Sequence, residues 1–311
     1  MAERFDHFMA RANAAYYAAN DPFRDFVTAP ELTQVFGEVL GGWARLVWQM
    51  LGSPAEIMLA EAGPGRGVLM ADALRAFGPA KVNFIETSAR LRAEQKARVP
   101  DAVWHDSVDD LPPGPMILFA NEFLDALPVR QFIRRAEGWM ERYVEGGAYV
   151  EQATEIKLPD DGQGSVREIN EPAIAFIEKL AGRGAVALII DYGPLQSAPG
   201  ESVQAIRNGK YADPLADPGG ADITAHVDFA ALAQAARAAG ADVQGPIRQN
   251  EFLTALGLHQ RTDQLARRSP EAGAKLRLAA RRLTAPEAMG SLFKVLAICP
   301  KGLPDLPGFE P

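Results

Sequence analysis

The chain has 311 residues, 48% hydrophobic and 23% charged, with a formal net charge of -8. That composition supports a substantial core in one large domain, or one domain with an insertion, and the acidic balance argues against a general nucleic-acid binder, which needs a basic face. No run reaches the apolar length of a membrane span, and the single cysteine, Cys299, excludes an internal disulfide and a thiolate metal cluster.

The first seven residues are acidic and lack the apolar core of a signal peptide, so a cytoplasmic location is expected. Thr28 and Glu31 stand three apart, the spacing of a capping box. Leu32, Val35, Phe36, Val39, Leu40, Trp43, Leu46 and Val47 then recur at helical spacing. Residues 1–52 are expected as a helical segment packed on the core, and 53–311 as the main domain. Residues 57–62 read as a strand and 68–77 as a helix, joined by Gly63-Pro64-Gly65-Arg66-Gly67. Strand, tight turn and helix open an α/β nucleotide-type site. Glycine permits φ > 0 and lets a ligand lie against the main chain, and the free N–H groups of the helix start favour an electron-rich group. A dinucleotide fingerprint would need glycine at Val68. The glycines alternate instead, with Glu61 just ahead of them. This pattern resembles the first motif of class I methyltransferases that use S-adenosylmethionine, where the acid stands near the methionyl end of the cofactor. A glycine-rich turn without a ligand is the plain alternative.

Residues 82–86 form a strand ending in Glu86, which follows the last glycine by roughly 20 residues, the distance at which an acid reaches ribose hydroxyls. A charged helix is predicted over 90–98 and a short strand over 102–105. Asp106 and Ser107 follow, either near an adenine amine or as a helix cap. Residues 116–120 read as a buried strand, and Asn121, Glu122 and Asp125 come just after it. Strands alternating with helices predict a mostly parallel sheet. The alternation then breaks into a hairpin about Gly138, within an insertion of about 129–150. A helix over 171–180, an apolar strand over 185–193 ending in Asp191 and Tyr192, and a Gly/Pro/Asp-rich loop over 194–224 come next. Asp228 caps a helix over 229–239. A strand over 243–248, a partly basic helical insertion over about 251–290, and a closing strand over 293–298 complete the sheet.

Five stretches occur in one order: Tyr16 to Phe23, Asp25 to Glu31, Glu61 to Gly67, Asn121-Glu122-Phe123-Leu124-Asp125-Ala126-Leu127-Pro128-Val129, and Ala221-Asp222-Ile223-Thr224-Ala225-His226-Val227-Asp228-Phe229. Together they closely resemble the MidA-like family of class I methyltransferases, over almost the whole chain. The resemblance implies a seven-stranded, Rossmann-like methyltransferase sheet with an added β-hairpin and helical insertions, and S-adenosylmethionine as cofactor. The family includes a mitochondrial complex I assembly factor that methylates a protein arginine, which implies a protein acceptor, with a respiratory complex I subunit as the candidate. One departure stands out: Arg24 alone bridges Asp21-Pro22-Phe23 and Asp25-Phe26, where the family carries a longer, glycine-bearing loop.

Methyl transfer from a sulfonium needs donor and acceptor held in line. A guanidinium acceptor stays protonated at neutral pH, so carboxylates must orient its planar fork and take a proton. The carboxyl ends of strands line the crevice of an open α/β sheet, which makes Glu122 the first candidate to grip the acceptor and Asp125 the second. Asn121 is a candidate for the amino-acid end of the cofactor, Arg66 for its carboxylate, and His226 for a proton acceptor or a structural hydrogen bond. With Glu61, Gly63, Gly65, Gly67, Glu86, Asp106 and Ser107, these are the expected site residues. No metal-ligand cluster is visible. A non-catalytic assembly factor that retains the cofactor pocket is the alternative reading; a nicotinamide dehydrogenase is disfavoured by Val68.

Overall fold

The computed structural model of the chain describes residues 1–20 and 27–310; the expected Arg24 bridge lies outside them. β1 (Glu3–Arg4), α1 (Phe5–Ala19), α2 (Ala29–Leu32) and α3 (Gln34–Met50) come first. β2 (Met58–Ala62), α4 (Val68–Phe77), β3 (Lys81–Ile85), α5 (Ala89–Arg98), β4 (Val103–His105) and β5 (Met116–Asn121) alternate as expected. Then come β6 (Arg130–Arg135), β7 (Gly138–Glu145), β8 (Ala148–Ala153), β9 (Val166–Ile169), α6 (Glu171–Gly182) and β10 (Val186–Tyr192). β11 (Gln204–Arg207), β12 (Lys210–Ala212), β13 (Asp222–Thr224), α7 (Phe229–Ala238) and β14 (Asp242–Arg248) follow. The chain closes through α8 (Gln249–Ala255), α9 (Leu258–Arg268), α10 (Pro270–Thr284) and β15 (Phe293–Cys299).

The main sheet has seven strands in the order β14-β15-β10-β5-β2-β3-β4. β15 runs antiparallel to β10 and β14, and the other neighbours are parallel. β2, β5 and β15 are buried at every residue, as strands covered on both faces must be. One layer of core packs α3, α4, α8 and α10 on one face, and the other packs α6 and α7 on the opposite face. The chain leaves β2 toward β3 and β4, then returns to β5 on the other side of β2. That reversal places a crevice at the carboxyl ends of β2 and β5.

Close approach of α3 to α4 depends on glycine. A Cβ on Gly41 would sit 2.1 Å from the Ala73 carbonyl oxygen, whereas one on Gly42 would meet nothing within 4 Å. Gly41→Ala should lower stability by about 1–3 kcal/mol through overpacking, while Gly42→Ala should be neutral or gain up to about 1 kcal/mol from helix propensity. Denaturant midpoints of the two variants compare crowding with propensity in one helix.

Four sequence expectations change. Thr28 makes no side-chain cap; the extended Thr33 separates α2 from α3, and its hydroxyl accepts the Val35 N–H at 3.3 Å. The hairpin over 129–150 belongs to a five-stranded antiparallel sheet, because β1, β8 and β9 also pair into it. The expected loop over 194–224 contains a small sheet in the order β12-β11-β13. The insertion over 251–290 is three helices and a wide turn rather than one helical stretch. α1 lies within the segment 1–52 expected to be helical, ahead of the periodic stretch that starts at Leu32; its Phe5, Phe8, Met9, Ala12 and Tyr16 are buried, and Phe5, Phe8, Met9 and Ala12 share a core with Ile223 of β13. Among the described residues no helix is long and apolar enough to cross a membrane.

Candidate functional site

The glycine turn leaves β2 with φ of 62° at Gly63, 52° at Gly65 and 78° at Gly67, values that L side chains rarely adopt. The Gly63 N–H bonds the Ile85 carbonyl at 3.0 Å, so the turn starts against β3. A Cβ on Gly63 would meet the Phe123 ring at 2.7 Å. Gly67 starts α4 from the left-handed region. Glu61, at the end of β2, is 3% exposed. The Met70 N–H in the first turn of α4 binds its carboxylate, its Oε2 has no partner among the described residues, and burial pushes its pKa up to about 8. Arg66 reaches Glu94 at 3.5 Å and Glu31 at 3.9 Å, so its guanidinium is braced between α5 and α2.

Glu86 stands just past β3. Its carboxylate accepts the Ser88 N–H at 2.7 Å and the Gln95 amide at 3.2 Å, and burial raises its pKa. Gln95 was missed by the sequence reading. It is fully buried, donates to the Gly65 carbonyl at 2.7 Å, and accepts from Trp104. It therefore ties the glycine turn to Glu86. Its signal was faint: one uncharged polar residue, four after Leu91, on the inward face of a charged helix. Asp106 and Ser107 lie past β4. Asp106 is exposed and paired with Arg92, while Ser107 and Asp110 form a capping box on a short 3-10 turn.

The second turn leaves β5. Asn121 is buried with its Oδ1 unpartnered among the described residues, and its amide donates to Glu122 at 3.2 Å. Glu122 takes φ of 50°, and its Oε1 also accepts the Ala29 N–H at 3.0 Å. Burial, opposed by the Ala29 N–H and reinforced by Asp125, pushes Glu122 up to about 7. Burial likewise carries Asp125 up to about 6 against a hydrogen bond from Tyr192, and its Oδ1 has no partner among the described residues. Asp191, fully buried at the end of β10, accepts the N–H groups of Leu124 at 3.0 Å and Asp125 at 3.2 Å. It thus clamps the turn that carries the other two acids. His226 is exposed; its N–H donates to Ser202 and its ring packs edge-on to Tyr192 at 5.6 Å.

The structure therefore gathers Glu61, the three glycines, Glu86 and Asn121 at the ends of β2, β3 and β5, with Glu122 and Asp125 toward β10. Asp106 and Ser107 sit at the margin, engaged with Arg92 and the cap. Two buried oxygens at the β2–β5 junction, Glu61 Oε2 and Asn121 Oδ1, lack hydrogen-bond donors among the described residues, and such atoms are costly unless a ligand supplies them. A cationic, donor-rich ligand lying against a glycine turn fits these atoms, as does a diol near Glu86.

The sheet, the alternating glycines and the strand-end acids define a class I methyltransferase that uses S-adenosylmethionine. Comparison with known proteins agrees. A family model described as "Putative S-adenosyl-L-methionine-dependent methyltransferase" matches residues 39–247, and the chain belongs to that family. It is 30% identical to the human protein arginine methyltransferase NDUFAF7, mitochondrial, across 96% of this chain and 80% of that protein. It is 31% identical to the zebrafish (Danio rerio) protein of the same name, across 91% and 79%. A Burkholderia thailandensis crystal structure matches with a TM-score of 0.85 at 28% identity, covering 99% of this chain and 90% of that one. A second structure from that organism, bound to S-adenosyl-homocysteine, matches with a TM-score of 0.82 at 26% identity, again covering 99% and 90%.

The raised acids make stability depend on pH. Unfolded Glu61 releases its proton near 4.5, but the folded protein retains it to about 8. Between those values the folded state binds more protons, so stability falls as pH rises through the window. Calorimetry should show the ligand-free protein melting lower at pH 8 than at pH 5, with a shallower decline in Glu61→Gln. An equally steep decline in the variant would remove Glu61 as a contributor.

Proposed function

We propose that this methyltransferase modifies an arginine side chain of a protein acceptor, and that Glu122 and Asp125 receive the guanidinium. The observation that carries the reading is the pair of acids after β5: Glu122 and Asp125 both have raised proton affinity, and Asp125 retains a buried oxygen without a donor among the described residues. A planar cation with five N–H donors relieves both conditions. The names of the relatives, at about 30% identity, support the same acceptor.

Bound S-adenosylmethionine supplies an electrophilic methyl group on a sulfonium. Glu61 and Asn121 would hold its amino-acid end, Gly63, Gly65 and Gly67 would let it lie against the backbone, Arg66 would face its carboxylate, and Glu86 would accept from the sugar hydroxyls. Asp106 and Ser107 remain candidates for the adenine edge. On the acceptor side, Glu122 is fixed by the Ala29 N–H and the Asn121 amide, which pre-orients one oxygen and leaves the other for the guanidinium. As the nitrogen–carbon bond forms and the carbon–sulfur bond breaks, the guanidinium sheds a proton. Glu122, with a pKa near the operating pH, is suited to take it, and Asp125 holds the second edge of the fork. His226 stands beside Tyr192 as a secondary acceptor for that proton.

The test is to incubate the protein with tritiated S-adenosylmethionine and extract from cells lacking it, then map the label by mass spectrometry. Methylarginine in one or a few proteins is the expected result; label on another residue type, or none, rejects the arginine reading. The complex I subunit implied by the family resemblance is the first acceptor to examine. Absence of any label with intact cofactor binding would favour a non-catalytic assembly factor.

A further inference from the structure

The helical segment that closes the sheet has charge opposite to the rest of the chain. Between 248 and 284 there are eight Lys and Arg against three Asp and Glu, in a chain of net charge -8. Some of these cations are paired: Arg261 with Glu38, Arg277 with Asp263, Arg281 with Glu287 and Arg248 with Glu251. Lys275 and Arg282 are exposed and form no salt bridge among the described residues. They share one face of α10 with Leu278, at positions i, i+3 and i+7, and Leu278 keeps 69% of its surface in solvent. Gly273, Ala279, Ala280 and Leu283 bury the opposite side.

This stripe starts beside the acid turns. Asp191 on β10 lies opposite Lys294 on β15, which lies opposite Arg248 at the end of β14. The next residue, Gln249, donates from its buried amide to the Leu283 carbonyl at 2.9 Å. Two strand spacings, roughly 10 Å, and one hydrogen bond connect Asp191 to the end of α10. From there the charge of Arg282 acts on Glu122. Seven residues of helix carry the stripe roughly 10 Å further out.

We propose that the exposed face of α10, from Arg282 through Leu278 to Lys275, docks an acidic segment of the acceptor protein that carries one apolar residue and flanks the arginine to be methylated. The proposal rests on the arginine reading above. Charge complementarity supports it: Glu122 and Asp125 after β5 attract the guanidinium and repel an acidic flank, while the stripe does the reverse. The two poles together fix which way the segment lies, and such rim charges act on partner choice and encounter.

Fluorescent 15-residue peptides, titrated by anisotropy in the presence of S-adenosylhomocysteine, test it. One carries a central arginine flanked by Asp, Leu and Glu; the other replaces the acids with lysine. The protein should prefer the acidic peptide by roughly tenfold at low salt. Arg282→Glu combined with Lys275→Glu should invert the preference while leaving calorimetric affinity for S-adenosylhomocysteine unchanged. Equal binding of both peptides, or binding of neither, overturns the proposal. A third peptide with glutamine for the central arginine separates the two readings: unchanged affinity with the charge preference intact would reject arginine and keep the docking face. If the double variant loses only binding to phosphatidylglycerol–phosphatidylcholine vesicles, the face serves lipid and the proposal falls.

Discussion

Glu122→Gln should retain cofactor affinity and lose methyl transfer by roughly 10²–10⁴-fold, the usual weight of a positioned proton acceptor. The replacement keeps an oxygen for the Ala29 N–H, now 3.0 Å away, so the turn should keep its shape. It removes the negative charge that grips a guanidinium and the basic oxygen that takes its proton. Calorimetric titration with S-adenosylhomocysteine and initial rates of tritium incorporation separate the two effects. Glu122 is pushed up to about 7 by burial, so the wild-type rate should climb with pH through that region as the carboxylate forms, and the residual rate of the variant should not. Unchanged turnover would take Glu122 out of the reaction. Equal loss of cofactor affinity would make its role structural.

Gly63→Val should weaken cofactor binding by roughly ten- to a hundredfold, which corresponds to about 1.4–2.8 kcal/mol. Two costs coincide at this residue. Its φ of 62° is strained for any side chain, most of all a β-branched one. Its Cβ would also lie 2.7 Å from a Phe123 ring that is packed on Phe176 with centroids 5.3 Å apart, so the ring has little freedom to yield. Displacement of Phe123 drags its neighbours Asn121 and Glu122, coupling the two turns. Gly78→Val provides the comparison: φ is 102° but nothing lies within 4 Å. It should lower the melting temperature and spare affinity. If the two variants bind alike, crowding at Phe123 is not what shapes the pocket.

Much of the main sheet was readable from the chain because β2, β5, β10 and β15 are apolar runs that only a doubly covered sheet can bury, and because glycine at 63, 65 and 67 announces positive φ. The parts that escaped share a physical cause. β8 and β12 are largely exposed and carry mixed polar residues, so neither a period of two nor an apolar run marks them. β1 is two residues long and exists through its pairing with β7. The Thr28–Glu31 spacing matched a capping box, yet the backbone extends at Thr33 and the cap forms there, an outcome set by packing rather than by spacing. At the site, the acids Glu61, Glu86 and Glu122 were visible as strand-end residues. Asp191 was visible as a strand-end acid too, but Gln95 was not, and both act through backbone groups distant in sequence, at Gly65, Leu124 and Asp125, partners that no local pattern reveals.

Helix α1 touches both flanks of the crevice. The Tyr17 and Asn20 carbonyls accept from Ser88 and Arg90 beside the sugar-side acid, while Asn13 and Tyr17 bond Ile223 and Asp222 on the acceptor side. Any tilt of this rod is therefore transmitted to both banks at once. Were loading one reactant to shift it, the two affinities would change together and by the same factor.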